Sequence, residues 1–283
     1  MEKKTIGWIG LGTMGNPMAM RLLKMGYDLI IYSRNAQKAI ENGTVGARLA
    51  ANTRELIMES DIIFLMLPDD DASNDVFFGT NGLRSTSAKG KVFINMSTVT
   101  SLTSKTIAEA CIAGGNDYID APVAGNAIQA KDGKLIIMAG GDKKTFTAVK
   151  PLLDKLGKLT MLIGGYGAGN AAKLSMNMLL AFQAQGLSEA FYFAKEHDVR
   201  QQDLAKLINN SAMGSSFLKL KAIAIICNNF PPVFALKNMA KSLRMVKAEG
   251  IRTPLAEATY ETFQQADKKL GNEDVIAVYK QIS

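Results

Sequence analysis

The stretch "WIGLGTMGNPMAM" (residues 8–20) places Gly10, Gly12 and Gly15 at GxGxxG spacing. Glycines alone say little, because loops use them freely; their context decides the reading. The β-branched run "TIGWIG" (5–10) leads into them and reads as a strand. "MGNPMAMRLLKMG" (14–26) follows with helical spacing and closes on a glycine, and "DLIIYS" (28–33) is a second strand. A glycine turn between strand and helix is a phosphate cradle. Gly10 permits the tight turn, Gly12 lets the backbone approach a pyrophosphate, and Gly15 lets the helix pack on the strand. The backbone of Thr13 and Met14 lies between them, and the helix start offers unpaired N–H groups and a positive dipole end. Pro17 suits the first turn, where N–H groups have no helical partner.

Working outward, the alternation continues. "DIIFLMLP" (61–68), "KVFINMS" (91–97), "YIDAPV" (118–123), "KLIIMAGG" (134–141) and "LTMLIG" (159–164) are short apolar runs separated by helical patterns. Most are apolar throughout, which fits strands covered on both faces. The expected fold is therefore α/β, a Rossmann-type doubly wound sheet. "GGYGAG" (164–169) reads as a flexible junction. A helical pattern without proline then runs from Asn170 to about Glu196, and further helical segments, broken at "FPPVFA" (230–235), fill the rest. The expected domains are 1–164, dinucleotide-binding, and 165–283, all-α.

Composition narrows the class. The 283 residues are 47% apolar, enough for a sizeable core, and no apolar run reaches the ~18 residues of a membrane span. Two distant cysteines outside any CxxC, with no leader-like start, suit the cytoplasm. With one histidine, His197, in the polar "AKEHDV", no His/Cys metal site is expected. The net charge of +7 comes without arginine-rich runs, so it points to small anionic substrates and not to nucleic acid.

The end of the second strand chooses the nucleotide. An acidic residue there binds the ribose hydroxyls of NAD, but "YSRNAQK" (32–38) has none. Arg34, helped by Ser33 and Lys38, suits the 2′-phosphate of NADP.

Four motifs in order resemble the β-hydroxyacid dehydrogenase family: "GLGTMGNPMA" (10–19), "DAPVAGNAIQAKDGKL" (120–135), "GGYGAGNAAKLSMN" (164–177) and "FALKNMAKSLRM" (234–245), together with "NMST" (95–98). "LKNMAK" is more similar to the glyoxylate/succinic semialdehyde reductase branch than to the 3-hydroxyisobutyrate branch. The resemblance implies that Lys173 is the general acid and Asn177 a substrate-positioning residue. The i, i+4 spacing independently puts both on one helix face, and an apolar setting would lower the lysine pKa. It further implies that Val123, Ala124, Gly125 and Asn126 form the substrate loop, that Leu67 and Pro68 bracket the cofactor, and that Thr98 and Lys241 lie near the nicotinamide. Three positions depart from the family: Ala124 stands where it has serine, Asn126 replaces a small residue and offers a donor in place of the missing hydroxyl, and Ser242 stands where it has aspartate. The expected activity is NADPH-dependent interconversion of a small carboxylate-bearing aldehyde or 2-oxo acid and its hydroxy acid. An imine reductase-like enzyme and a non-catalytic dinucleotide-binding module remain the alternatives. "MNMLLAFQAQGLSEAFYFA" (176–194) is apolar around much of its circumference, so a homodimer or homotetramer is expected.

Overall fold

The structure is a computed structural model that describes residues 4–33 and 46–283. The chain divides into two compact units, one ending at Lys173 and one spanning Leu174–Ser283.

The first unit is built on nine strands among the described residues: β1 (Ile6–Ile9), β2 (Leu29–Tyr32), β3 (Arg48–Leu49), β4 (Ile62–Leu65), β5 (Val92–Asn95), β6 (Asp117–Asp120), β7 (Val123–Ala124), β8 (Leu135–Gly141) and β9 (Gly157–Gly164). Their order is β3-β2-β1-β4-β5-β6-β8-β7, with β9 on β8. From β3 through β6 all pairs are parallel. The order reverses at β1, since the chain winds outward to β3 on one side and through β4, β5 and β6 on the other. That is the doubly wound arrangement, with its crevice beyond the carboxyl ends of β1 and β4.

The apolar runs are strands because both faces are covered. Ile6, Trp8, Leu29, Ile31, Ile62 and Phe64 enter one buried cluster; Ile9, Ile30, Ile63, Leu65 and Phe93 enter another. Alternate residues of one strand thus feed opposite cores, which explains runs with no polar alternation. The Trp8 indole stacks on Phe64 at 5.1 Å between centroids. Its N–H donates to the carbonyl of Gly10 at 3.0 Å.

Several expectations need correction. "YIDAPV" is two strands, interrupted at Pro122, which has no N–H to donate. β6 and β7 both pair antiparallel with β8, so this edge of the sheet is mixed. β3 is too short and too exposed to leave a hydrophobic signature. β9 is not covered on both faces, since Leu159, Met161 and Ile163 are exposed on one side of it. The "GGYGAG" junction is held by hydrogen bonds and is not a flexible hinge: the helix begins at Ala168, and the Gly167 N–H donates to a buried carboxylate.

The second unit is helical. The helix Ala168–Glu196 crosses into it and is followed by Gln201–Asn209, Ser216–Ile226, Leu236–Ala248, Pro254–Leu270 and Tyr279–Ile282. Its core gathers Phe191, Leu236, Met239, Phe263 and the buried run Val275–Val278. One buried ion pair fixes that run. Lys221 Nζ lies 2.6 Å from Asp274 Oδ1, while the second oxygen of Asp274 accepts from the N–H groups of Val233 and Phe234. No helix among the described residues is long and apolar enough to cross a membrane.

Candidate active site

The carboxyl ends of the parallel strands collect the candidate residues of the first unit. The glycine loop follows β1, Ser33 follows β2, Leu67 and Pro68 follow β4, and Thr98 follows β5. Arg34 and Lys38 lie outside the described residues. Adjacent strand tips are tied together: the Leu67 N–H donates to Ser97 Oγ at 2.8 Å.

The glycine loop fits a dinucleotide. Gly10 has φ +97°, which disfavours any side chain, and a Cβ there would collide with the Met66 carbonyl. At Gly15 a Cβ would collide with the carbonyl of Gly10. At Gly12 it would meet nothing within 4 Å. The first and third glycines are therefore required by the protein's own backbone, and the second faces open space, as an approaching pyrophosphate requires. The helix Gly15–Lys24 supports this. The helices opening at Thr53, Asp70, Ser101, Ala127 and Lys143 each take a side-chain cap, from Asn52, Asp69, Thr100, Asn126 and Asp142. The glycine-loop helix has no side-chain cap and no acidic residue in its first turn. Its positive end is left to an anion.

A buried carboxylate organises the other half of this edge. Asp120, at the tip of β6, is fully buried. It accepts from Gly167 N–H at 2.8 Å and Asn170 N–H at 3.0 Å, so it caps the helix Ala168–Glu196 from a neighbouring strand. Burial pushes its pKa up, and the N–H donors oppose that shift. Asn170 extends the network: its Oδ1 accepts from the Val99 N–H at 3.1 Å and its Nδ2 donates to Ser104 at 2.9 Å. Val99, Ser104, Asp120 and the 167–170 segment are thereby tied to one another. Neither Asp120 nor Asn170 figures among the residues expected from sequence. The signal existed, because a carboxylate inside an apolar run needs buried donors.

The helix seated by this network carries Lys173, half-buried, as the last residue of the first unit. In the loop that opens at β7, Val123 is buried, Ala124 half-buried and Gly125 exposed, with φ +143° at Gly125. A Cβ at Gly125 would press on Leu135. Asn126 is engaged in a capping box. Its Oδ1 accepts from Gln129 N–H at 3.0 Å, and its own N–H donates to Gln129 at 2.9 Å. That commits its carbonyl oxygen and backbone donor to the helix Ala127–Asp132. In the second unit, Asn177 is buried and Lys241 half-buried. His197 is exposed, its ring against Phe193.

A doubly wound sheet with this glycine loop defines a dinucleotide-binding domain. Comparison with known proteins takes the assignment further. Residues 5–165 match the model of the NAD binding domain of 6-phosphogluconate dehydrogenase. Residues 167–282 match the model described as NAD-binding of NADP-dependent 3-hydroxyisobutyrate dehydrogenase. The chain is 34% identical over 262 residues to 2-hydroxy-3-oxopropionate reductase of Escherichia coli, covering 91% of this chain and 89% of that protein. It is 33% identical over 282 residues to glyoxylate/succinic semialdehyde reductase 1 of Arabidopsis thaliana, covering 98% of each. A solved structure of Mycobacterium tuberculosis 3-hydroxyisobutyrate dehydrogenase with L-serine superposes with TM-score 0.91 at 26% identity, over 99% of both chains. The chain belongs to the β-hydroxyacid dehydrogenase family, and is an oxidoreductase built on an NAD(P)-binding domain.

Proposed function

We propose that the chain is an NADPH-dependent reductase that interconverts a small carboxylate-bearing aldehyde or 2-oxo acid and its hydroxy acid. The observation that carries this reading is the seating of the Lys173 helix by Asp120 and Asn170, on the same sheet edge as the glycine loop. When bound, the dinucleotide supplies the hydride. The chain's own residues do the rest. The first-turn N–H groups and Gly12 hold the pyrophosphate, with the backbone of Thr13 and Met14 beside them. Leu67, Pro68 and Thr98 confine the nicotinamide end. Val123, Ala124 and Gly125 receive the substrate carboxylate. Asn177 hydrogen-bonds the substrate and positions it. Lys173 delivers a proton to the carbonyl oxygen and takes it back in the oxidative direction. Assay of NADPH consumption against a panel of small carbonyl acids tests the reading. A protein that binds NADPH and reduces none of them is a binding module, the alternative that Ala124 favours.

NADP is preferred to NAD because β2 ends at Tyr32 and the next residues are Ser33 and Arg34, with no carboxylate. Arg34→Ala is expected to weaken NADPH binding by about 1.5–3 kcal/mol, the range for a hydrogen bond to a charged group. NADH binding should hardly change. Titration calorimetry with both cofactors decides, and equal losses contradict the assignment.

A homo-oligomer is part of the same reading. On the helix Ala168–Glu196, Met176, Leu179 and Phe193 are exposed in the single chain, and exposed apolar side chains on one helix face favour cover by a second copy. Light scattering should give a dimer or tetramer; a strict monomer at working concentration removes the idea. Free Cys111 and Cys227 support a cytoplasmic setting.

A further inference from the structure

Ser242 stands where the family has aspartate, and it touches a residue assigned above to the substrate. The Asn177 Nδ2 donates to Ser242 Oγ at 2.9 Å. Ser242 Oγ donates in turn to the carbonyl of Asn238, one helical turn earlier, at 2.9 Å. Both side chains are buried, Asn177 at 5% and Ser242 at 2% exposure. A hydroxyl has one proton. Here that proton goes to Asn238, so toward Asn177 the serine can only accept. A flipped Asn177 would aim its oxygen at an oxygen with no proton to give, and lose a buried hydrogen bond. The amide is therefore held nitrogen-inward on Ser242, which turns Oδ1 away from it as an acceptor.

We propose that Ser242 is a specificity-determining positioning residue: it fixes the Asn177 amide so that Oδ1 accepts from a donor on the substrate, a hydroxyl beside the reacting carbonyl. The proposal rests on the reading that Asn177 faces substrate. An aspartate would hold the amide the same way but add a negative charge. Serine gives the orientation without repelling a substrate that carries its own carboxylate.

The test is steady-state kinetics at saturating NADPH on two acids that differ only by one hydroxyl, 2-hydroxy-3-oxopropionate and 3-oxopropionate. The native protein should prefer the hydroxylated acid. Ser242→Ala should cut kcat/KM for that acid about tenfold, as expected for losing one substrate hydrogen bond, and mainly through KM. The other acid should be little affected, so the preference collapses. Ser242→Thr, which keeps the hydroxyl, should keep the preference. Asn177→Ala combined with Ser242→Ala should be no worse than Asn177→Ala alone, because the serine acts through the asparagine. An unchanged preference in Ser242→Ala, an equal loss for both acids, or additive losses in the double variant overturns the proposal. Asn177→Ala with full activity on both acids overturns the reading of Asn177 itself.

Discussion

Lys173→Ala is expected to abolish turnover while the protein still binds NADPH with near-native affinity. The two functions reside in different parts of the first unit. On the proposed reading the dinucleotide is gripped by the loop after β1 and by Ser33 and Arg34, which follow β2 in sequence. The lysine lies on the helix seated by Asp120 and, in the proposed mechanism, acts on the carbonyl oxygen alone. Losing a positioned general acid costs about 10²–10⁴-fold, and losing its charge beside the developing alkoxide adds to that. Lys173→Arg should not rescue turnover, because arginine stays protonated and cannot pass the proton on. The measurements are kcat/KM with cofactor saturated and a separate NADPH titration. Near-native turnover in Lys173→Ala would remove the lysine from the mechanism. Lost cofactor binding would mean that the variant damages the glycine-loop edge instead.

The second large effect is on stability. Asp274→Ala should destabilise the helical unit by about 3–5 kcal/mol, the cost of breaking a buried ion pair from one side. The substitution strands the Lys221 ammonium and also the N–H groups of Val233, Phe234 and Ile276, all of which Asp274 now serves. Lys221→Met should cost less, because it removes the cation and leaves the carboxylate its three backbone donors. Urea denaturation followed by circular dichroism ranks the two variants. If Asp274→Ala costs under about 1 kcal/mol, or Lys221→Met costs more than it does, the stranded-charge account is wrong.

The fold was legible in the sequence where burial is two-sided. β1, β2, β4 and β5 are apolar at every or nearly every position because alternate residues feed different cores, and the glycines mark where the chain must turn. It was illegible where short-range pattern does not record long-range pairing. Nothing in "YIDAPV" or "KLIIMAGG" says that the sheet turns antiparallel there, and Arg48–Leu49 is too short to carry a period. The junction misled for a related reason. Glycine-rich composition suggests freedom, but Asp120, more than forty residues earlier, supplies the acceptor that fixes it. Within the candidate site, the family resemblance pointed to Lys173 and Asn177, and their i, i+4 spacing put both on one helix face. The bonds that position them, Asp120 to Gly167 and Ser242 to Asn177, join residues far apart in the chain and follow only from coordinates.

The tryptophan beneath the glycine loop has an optical consequence. Trp8 is the only tryptophan in the chain, so indole fluorescence from this protein has a single source. That source is shielded from water, stacked on Phe64 and hydrogen-bonded to the carbonyl of Gly10. The loop that must accommodate a pyrophosphate is thus wired to the one chromophore whose emission responds to its N–H partner and its neighbours. Occupancy of the loop should therefore register as a change in intrinsic emission of the unlabelled protein, without turnover and with no probe attached; a titration with NADPH, read at the indole emission, checks it.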